Sequence, residues 1–432
     1  MSQSTSAKFD PNTRIESENR AVPQVHWLAV VAIFCVLIFA AEGFAEGGAS
    51  VGDHFEFRPD SLAPPYDTPG VANGSKAIAR PNNATLQVPA GFRTNLFADG
   101  LQAPRWLAVA GNGDVFVSEP MEGRVMLLRD ADGDGRAEYI NTYLKRRGRP
   151  HGLALHDGNL YVANIMGVWA YPYSPSAVAP TGEALAVTRA GAFGVLGGHW
   201  TRNLVFSPDG DRFFVAIGSY GNIGVEPEPR ATVQVFDADG GNQRTFAAGL
   251  RNPVGIAVYP GSDDVYVVVN ERDGLGDELV PDYLTRIQDG DFFGWPYAYI
   301  GQNPQPGFAE KRRDLVERTK IPDLLFRSHS APLGLVFYDS DQFPASYRGD
   351  AFVALHGSWN AAKPRGYMVV RVPFKDCRPA GHYEAFATGF WAEGIRRAKV
   401  WGRPAGLAVA KDGSLLIADD VGGAIWRVSY SE

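Results

Sequence analysis

The chain has almost no cysteine: two in 432 residues, Cys35 and Cys377, the first inside an apolar N-terminal stretch. A disulfide framework and a thiolate metal cluster are thereby excluded from the body of the protein. A basic surplus is missing as well. Forty-one Lys and Arg stand against 48 Asp and Glu, a formal charge of −7 at pH 7, so no nucleic-acid partner is expected. Five methionines and a shortage of long Leu, Ala, Glu and Lys stretches leave little material for long helices. With 45% hydrophobic and 21% charged side chains, a disordered or collagen-like chain is also excluded.

What is abundant suits turns and strands. Forty-nine glycines and 30 prolines punctuate short runs of Val, Tyr, Phe and Trp, which predicts a mostly β protein. Before that body, residues 1–26 are largely polar and Trp27 to Ala41 form an apolar run ahead of Glu42. Residues 1–45 therefore read as an export signal or a membrane anchor. Gly43 and Ala45 are small enough for cleavage after Ala45, and the run is shorter than the ~20 residues of a comfortable span, but the leading polar region is long for a signal peptide. Bulky Phe34 before Cys35 argues against lipidation there. Either reading, cleaved signal or attachment through residues 27–41, places the protein in the periplasm or on a membrane facing it. Residues 46–90 read as a loose lead-in and 91–432 as the β domain.

Within 91–432 one phrase recurs six times: a loop ending in Pro or a polar residue, a short apolar strand, a turn rich in Asp, Asn and Gly, and a second apolar strand ending in a small or acidic residue. The copies begin APRWLAVAGNGDVFVSE at Ala103, RPHGLALHDGNLYVAN at Arg149, HWTRNLVFSPDG at His199, RNPVGIAVYPG at Arg251, APLGLVFYDSD at Ala331 and GRPAGLAVAKDG at Gly402. Each reads as a β-hairpin, and runs such as GRVMLLRD and GAIWRVSY supply further strands. Six copies predict an all-β, six-bladed β-propeller closed radially, with a β-sandwich as the alternative. Wider gaps before the fifth and sixth copies leave room for inserted loops.

In such a ring, polar residues just before each innermost strand converge. That position reads Arg105, Arg147 to His151, His199, Arg251 with Asn252, His329 and Arg403. A cationic set in an acidic protein suits an anionic ligand or a developing negative charge. The plainer alternative pairs the arginines with carboxylates and leaves the histidines in the core.

The segments HWTRNLVFSPDG, GLRNPVG and NERDGLGDELVPDYLTRIQDGDFFGWP, in this order, resemble the pyrroloquinoline quinone (PQQ) dependent sugar dehydrogenases of the soluble glucose and L-sorbosone types. The resemblance covers most of residues 95–430. It implies His199 as the catalytic base, and Arg251 with Asn252 at the cofactor, where the guanidinium would stabilise charge on the quinone. It implies that the backbone carbonyls of Arg272 and Asp273 hold the Ca²⁺ that sits on PQQ, and that Arg403 contacts the cofactor. His329 falls where the glucose type has a smaller polar residue, and Lys363 is the nearest counterpart of the cofactor lysine. Ser219 stands where the family has an aspartate near the base, and Ala405 replaces a second arginine, differences that lean toward the sorbosone type.

The function so implied is PQQ-dependent oxidation of a sugar or sugar-derived aldehyde, with electrons passed to a quinone or cytochrome. A Ca²⁺-dependent lactonase-like hydrolase and a non-catalytic binding propeller are the alternatives. Two further features stand apart. DADGDG, with Asp130, Asp132, Asp134 and Gly135, resembles the start of an EF-hand loop whose twelfth position is Asn141. Trp359, Trp391 and Trp401 are aromatic faces for a sugar site or ordinary core.

Overall fold

The phrase forms a hairpin because apolar residues alternate along both strands while the turn between them is polar and tight. In the computed structural model, which describes residues 48–146 and 148–431, these hairpins open six sheets of four or five strands. The export or anchor reading over residues 1–45, with Cys35, lies outside the described residues, as does Arg147. Helix among the described residues is limited to Arg313–Arg318 and two 3-10 turns, and no helix there is long and apolar enough to cross a membrane.

The sheets follow chain order. The first runs Leu107–Val109, Val115–Glu119, Arg124–Arg129 and Tyr139–Leu144; the second opens with Leu153–His156 and Asn159–Ala163. The third opens with Arg202–Phe206 and Arg212–Ile217, the fourth with Pro253–Val258 and Val265–Val269. The fifth opens with Pro332–Phe337 and Ala351–Leu355. The sixth runs Pro404–Val409, Leu415–Asp419 and Ala424–Tyr430, and is completed by Phe92–Ala98 from the other end of the domain.

The opening strands pack against one another in chain order, and that of the sixth sheet packs against that of the first. Their approach is close enough to dictate sequence. A Cβ on Gly152 would lie 2.3 Å from the Arg202 carbonyl, on Gly255 2.5 Å from that of Leu333, on Gly334 2.4 Å from that of Ala405, and on Gly406 2.2 Å from that of Arg105. No side chain fits there. In the third sheet the equivalent position is Asn203, whose Nδ2 donates to the Val254 carbonyl at 2.6 Å and whose Oδ1 lies 2.7 Å from His151 Nδ1. Between neighbouring sheets lie apolar layers, such as that of Phe214, Val235, Ile256, Val267 and Tyr283.

The lead-in is tied down rather than loose. His54–Phe55 pairs antiparallel with the outer strand of the fifth sheet, Tyr383–Ala387, and Lys76–Ala77 pairs with Lys399–Val400.

Candidate functional site

At the open end of each hairpin a backbone bond ties the residue before the first strand to the end of the second. The pairs are Arg105 N to Ser118 O (2.9 Å), His151 N to Ala163 O (2.8 Å), His199 N to Ser219 O (3.0 Å), Asn270 N to Asn252 O (3.0 Å), His356 N to Ala331 O (2.9 Å) and Asp420 N to Arg403 O (3.2 Å). Side chains from both ends of the hairpin therefore share one space. A cavity of about 470 Å³ is lined by Arg105, His199, Arg251, Asn252, Asp273, His329 and Arg403, together with Trp200, Asn270, Glu271, Asp282, His356, Trp359 and Asn360.

His199 is half-buried, with Nδ1 2.9 Å from the Ser219 carbonyl and 3.0 Å from Ser219 Oγ. Because Ser219 Oγ gives its own proton to the Gly221 carbonyl at 2.7 Å, both Ser219 oxygens accept from Nδ1–H. Nε2 is then the basic nitrogen. Serine thus orients the imidazole at the place where the resemblance expected an aspartate. Burial first, then the nearby Arg251 guanidinium, pushes His199 down to about 3. Arg251 is fixed by donating to carbonyls of Asn222 (3.1 Å), Asn270 (3.1 Å) and Glu271 (2.8 Å), and to Asn222 Oδ1 (3.0 Å). The buried Oδ1 of Asn252 has no hydrogen-bond partner.

His329 has both ring nitrogens engaged, Nε2 with the Gly276 carbonyl at 3.0 Å and Nδ1 with Asn360 Nδ2 at 3.1 Å. It walls the cavity without offering a free nitrogen. Arg403 is anchored by Nε to the His356 carbonyl (2.8 Å) and by Nη2 to that of Gly357 (2.7 Å). His151 is buried beneath the cavity, packed edge-on to Trp200 and bonded to Asn203, so it is a core histidine.

Two expectations need correcting. Lys363 is exposed and lines a separate groove with Met368, Tyr383 and Trp391, because the chain leaves the cavity after Asn360; among the described residues no lysine lines the cavity. The Asp273 carbonyl already accepts from Asn222 Nδ2 (3.0 Å) and from Arg272 Nε (3.0 Å) and Nη2 (2.9 Å), and Arg272 does not line the cavity. A carbonyl facing a guanidinium is not set to receive a cation. Three acidic side chains, Glu271, Asp273 and Asp282, line the cavity. Burial pushes Glu271 and Asp282 each up to about 7, while Asp273 Oδ1 accepts from Asn360 Nδ2 at 2.5 Å.

The sequence reading also missed His356 and Asp420. His356 Nε2 lies 2.9 and 3.0 Å from the two Asp420 oxygens, and Arg105 Nη1 reaches the same carboxylate at 2.5 Å. Burial would push Asp420 up, but His356 and Arg105 hold it well below the usual carboxylate range; burial takes His356 down to about 4. Of the three tryptophans, Trp359 is 53% exposed at the cavity, Trp391 lines the other groove, and Trp401 is core. In the acidic loop the fourth carboxylate is Glu138 rather than position 141, and backbone amides of Gly133 and Gly135 occupy Asp130 at 2.7 and 2.9 Å.

A family model described as TrAA12-like matches residues 86–289 and 302–431, and one described as Glucose / Sorbosone dehydrogenase matches 226–358. An uncharacterized protein of Borreliella burgdorferi is 27% identical over 361 residues, 81% of this chain and 92% of its own length. A pyrroloquinoline quinone-dependent pyranose dehydrogenase of Coprinopsis cinerea is 27% identical over 355 residues, covering 71% of this chain and 46% of that protein. The chain thus spans about half the length of that enzyme. Among solved structures, the holo PQQ domain of the Coprinopsis cinerea pyranose dehydrogenase superposes with a TM-score of 0.69 at 22% identity, covering 82% of this chain and 98% of that one. A calcium structure of a Trichoderma reesei family AA12 enzyme gives 0.66 at 19%, covering 82% and 98%. At these identities the likeness is one of fold.

Proposed function

The chain belongs to the TrAA12-like family, and from that membership we propose that it is a PQQ-dependent dehydrogenase of a sugar or a sugar-derived aldehyde, built as a six-bladed propeller around its cavity. One observation carries the reading: a histidine with a bare Nε2 faces a cavity edged by Arg105, Arg251 and Arg403 in an acidic protein. A cofactor with several carboxylates finds its counter-charges there. The unpartnered Asn252 Oδ1 adds a polar group that a bound ligand would satisfy.

PQQ, when bound, supplies a two-electron acceptor. His199 Nε2 would accept the proton of the substrate hydroxyl as hydride leaves the same carbon. Arg251, locked by four acceptors, would present fixed positive charge with no reorganisation during the step. For Ca²⁺, the fitting donors are the hard carboxylate oxygens of Asp273 and Glu271 rather than the carbonyls of Arg272 and Asp273, since both Asp282 oxygens already accept from the backbone amides of Glu271 and Ala331 at 2.8 Å. Aldehydes would react as hydrates, which carry the needed hydroxyl. In this reading electrons pass on to a quinone or cytochrome, and the apolar run at 27–41 exports the protein to the periplasm or holds it on a membrane facing it.

The test is reconstitution of residues 46–432 with PQQ and Ca²⁺, followed by dye reduction with aldoses and sorbosone. Reduction that requires PQQ supports the dehydrogenase. Absence of PQQ binding in a titration would overturn it and favour a binding or hydrolytic propeller.

A further inference from the structure

On the outer edge of the fifth sheet, away from the cavity, the lead-in strand places His54 opposite Glu384 and Phe55 opposite Tyr383. His382 precedes that outer strand. The imidazoles of His54 and His382 stack with centroids 4.2 Å apart at 23°, and His382 Nε2 is 3.6 Å from Glu384 Oε1. One ring nitrogen from each histidine and one oxygen of Glu384 all lie within 4.8 Å of one another. Neither ring has another polar partner among the described residues.

We propose that His54, His382 and Glu384 bind a late first-row divalent cation, Zn²⁺ in the first instance. Tetrahedral Zn²⁺ with bonds near 2.1 Å holds its ligand atoms about 3.4 Å apart, so the ligand atoms are near enough to share one ion once the two imidazoles turn out of their stack. The backbone beneath them is already fixed. Gly52 N donates to the Ala385 carbonyl and Ala385 N to that of Asp53, both at 2.9 Å, and the rings of Phe55 and Tyr383 stack at 4.9 Å. Two imidazoles and one carboxylate select Zn²⁺, Ni²⁺ or Cu²⁺ over Ca²⁺ and Mg²⁺, which take oxygen ligands. Arg371 is the nearby cation, with Nη1 3.7 Å from Glu384 Oε2, but its Nε and Nη2 are held by Asp350 at 2.7 and 2.6 Å. Glu384 Oε1 is left toward the histidines. Three protein ligands leave a fourth position for water, and the cation would staple the lead-in to the sheet.

The experiment is calorimetric titration of the metal-stripped full chain, made without a histidine tag, with Zn²⁺ alone. One saturable equivalent is expected, weakened about tenfold or more in His54→Ala and in His382→Ala. His54 is exposed, so its replacement leaves the fold intact. Zn²⁺ should also slow proteolysis within residues 48–60 in the unaltered chain and not in His54→Ala. No saturable binding, or binding equally tight in both variants, overturns the proposal.

Discussion

In the proposed function His199 would carry the chemistry through Nε2, because Ser219 takes up its other nitrogen. Replacing His199 by alanine should leave PQQ binding intact and lower turnover by about 10²–10⁴-fold; single-turnover kinetics with titrated cofactor separate the two. Arg251→Ala should instead weaken PQQ retention, read in a cofactor titration of the folded variant. The acidity of the base gives a third expectation. A histidine held down near 3 stays neutral far below its ordinary 6.5, so lowering the pH through 6.5 should not protonate it. The profile of kcat/KM should therefore show no acid limb centred near 6.5; a limb there that vanishes in His199→Ala would contradict the geometry.

At this scale the sequence placed Arg105, His199, Arg251, Asn252, His329 and Arg403 at one cavity because it read the position before each first strand. It missed Glu271, His356 and Asp420 because the end of the second strand faces the same space. The signal was present in the phrase itself, whose second strands end in small or acidic residues. Reading that column as closely would have shown that His356 is neither small nor acidic. Lys363 and the 272–273 carbonyls depended on loop conformation, which carries no periodicity.

At the level of elements, the hairpins were legible from alternation, while the reason for a glycine within or just before four of the first strands was not. It lies in a neighbour distant in sequence. Gly406→Ala would drive a methyl to within 2.2 Å of the Arg105 carbonyl, inside any tolerable contact. The strands must part there, and a loss of about 1–3 kcal/mol is expected in chemical denaturation. Because Arg105 also reaches Asp420 beside His356, the same change should disturb the cavity. Gly158→Ala, at a hairpin tip with open space around its Cβ, is the comparison: its positive φ costs strain but moves no neighbouring sheet.

For the whole molecule, six repeats predicted six sheets, but the origin of the sixth sheet's outer strand was hidden, since Phe92–Ala98 precedes the first copy of the phrase. Its partner is Ala424–Tyr430, with Phe92 opposite Tyr430. Removing residues 424–432 should therefore release two strands rather than one and abolish cooperative unfolding, followed by near-UV circular dichroism. The same pairing brings Ser431 N within 3.1 Å of the Gly91 carbonyl. A short linker there, in place of the lead-in, would turn the domain into a loop of chain with no fixed beginning, and a new opening at an exposed tip such as Asp157 and Gly158 would keep the ladders within residues 91–431 while giving up the two made by the lead-in. The order in which the sheets are synthesised is, on this geometry, a historical choice that circular permutation could rewrite.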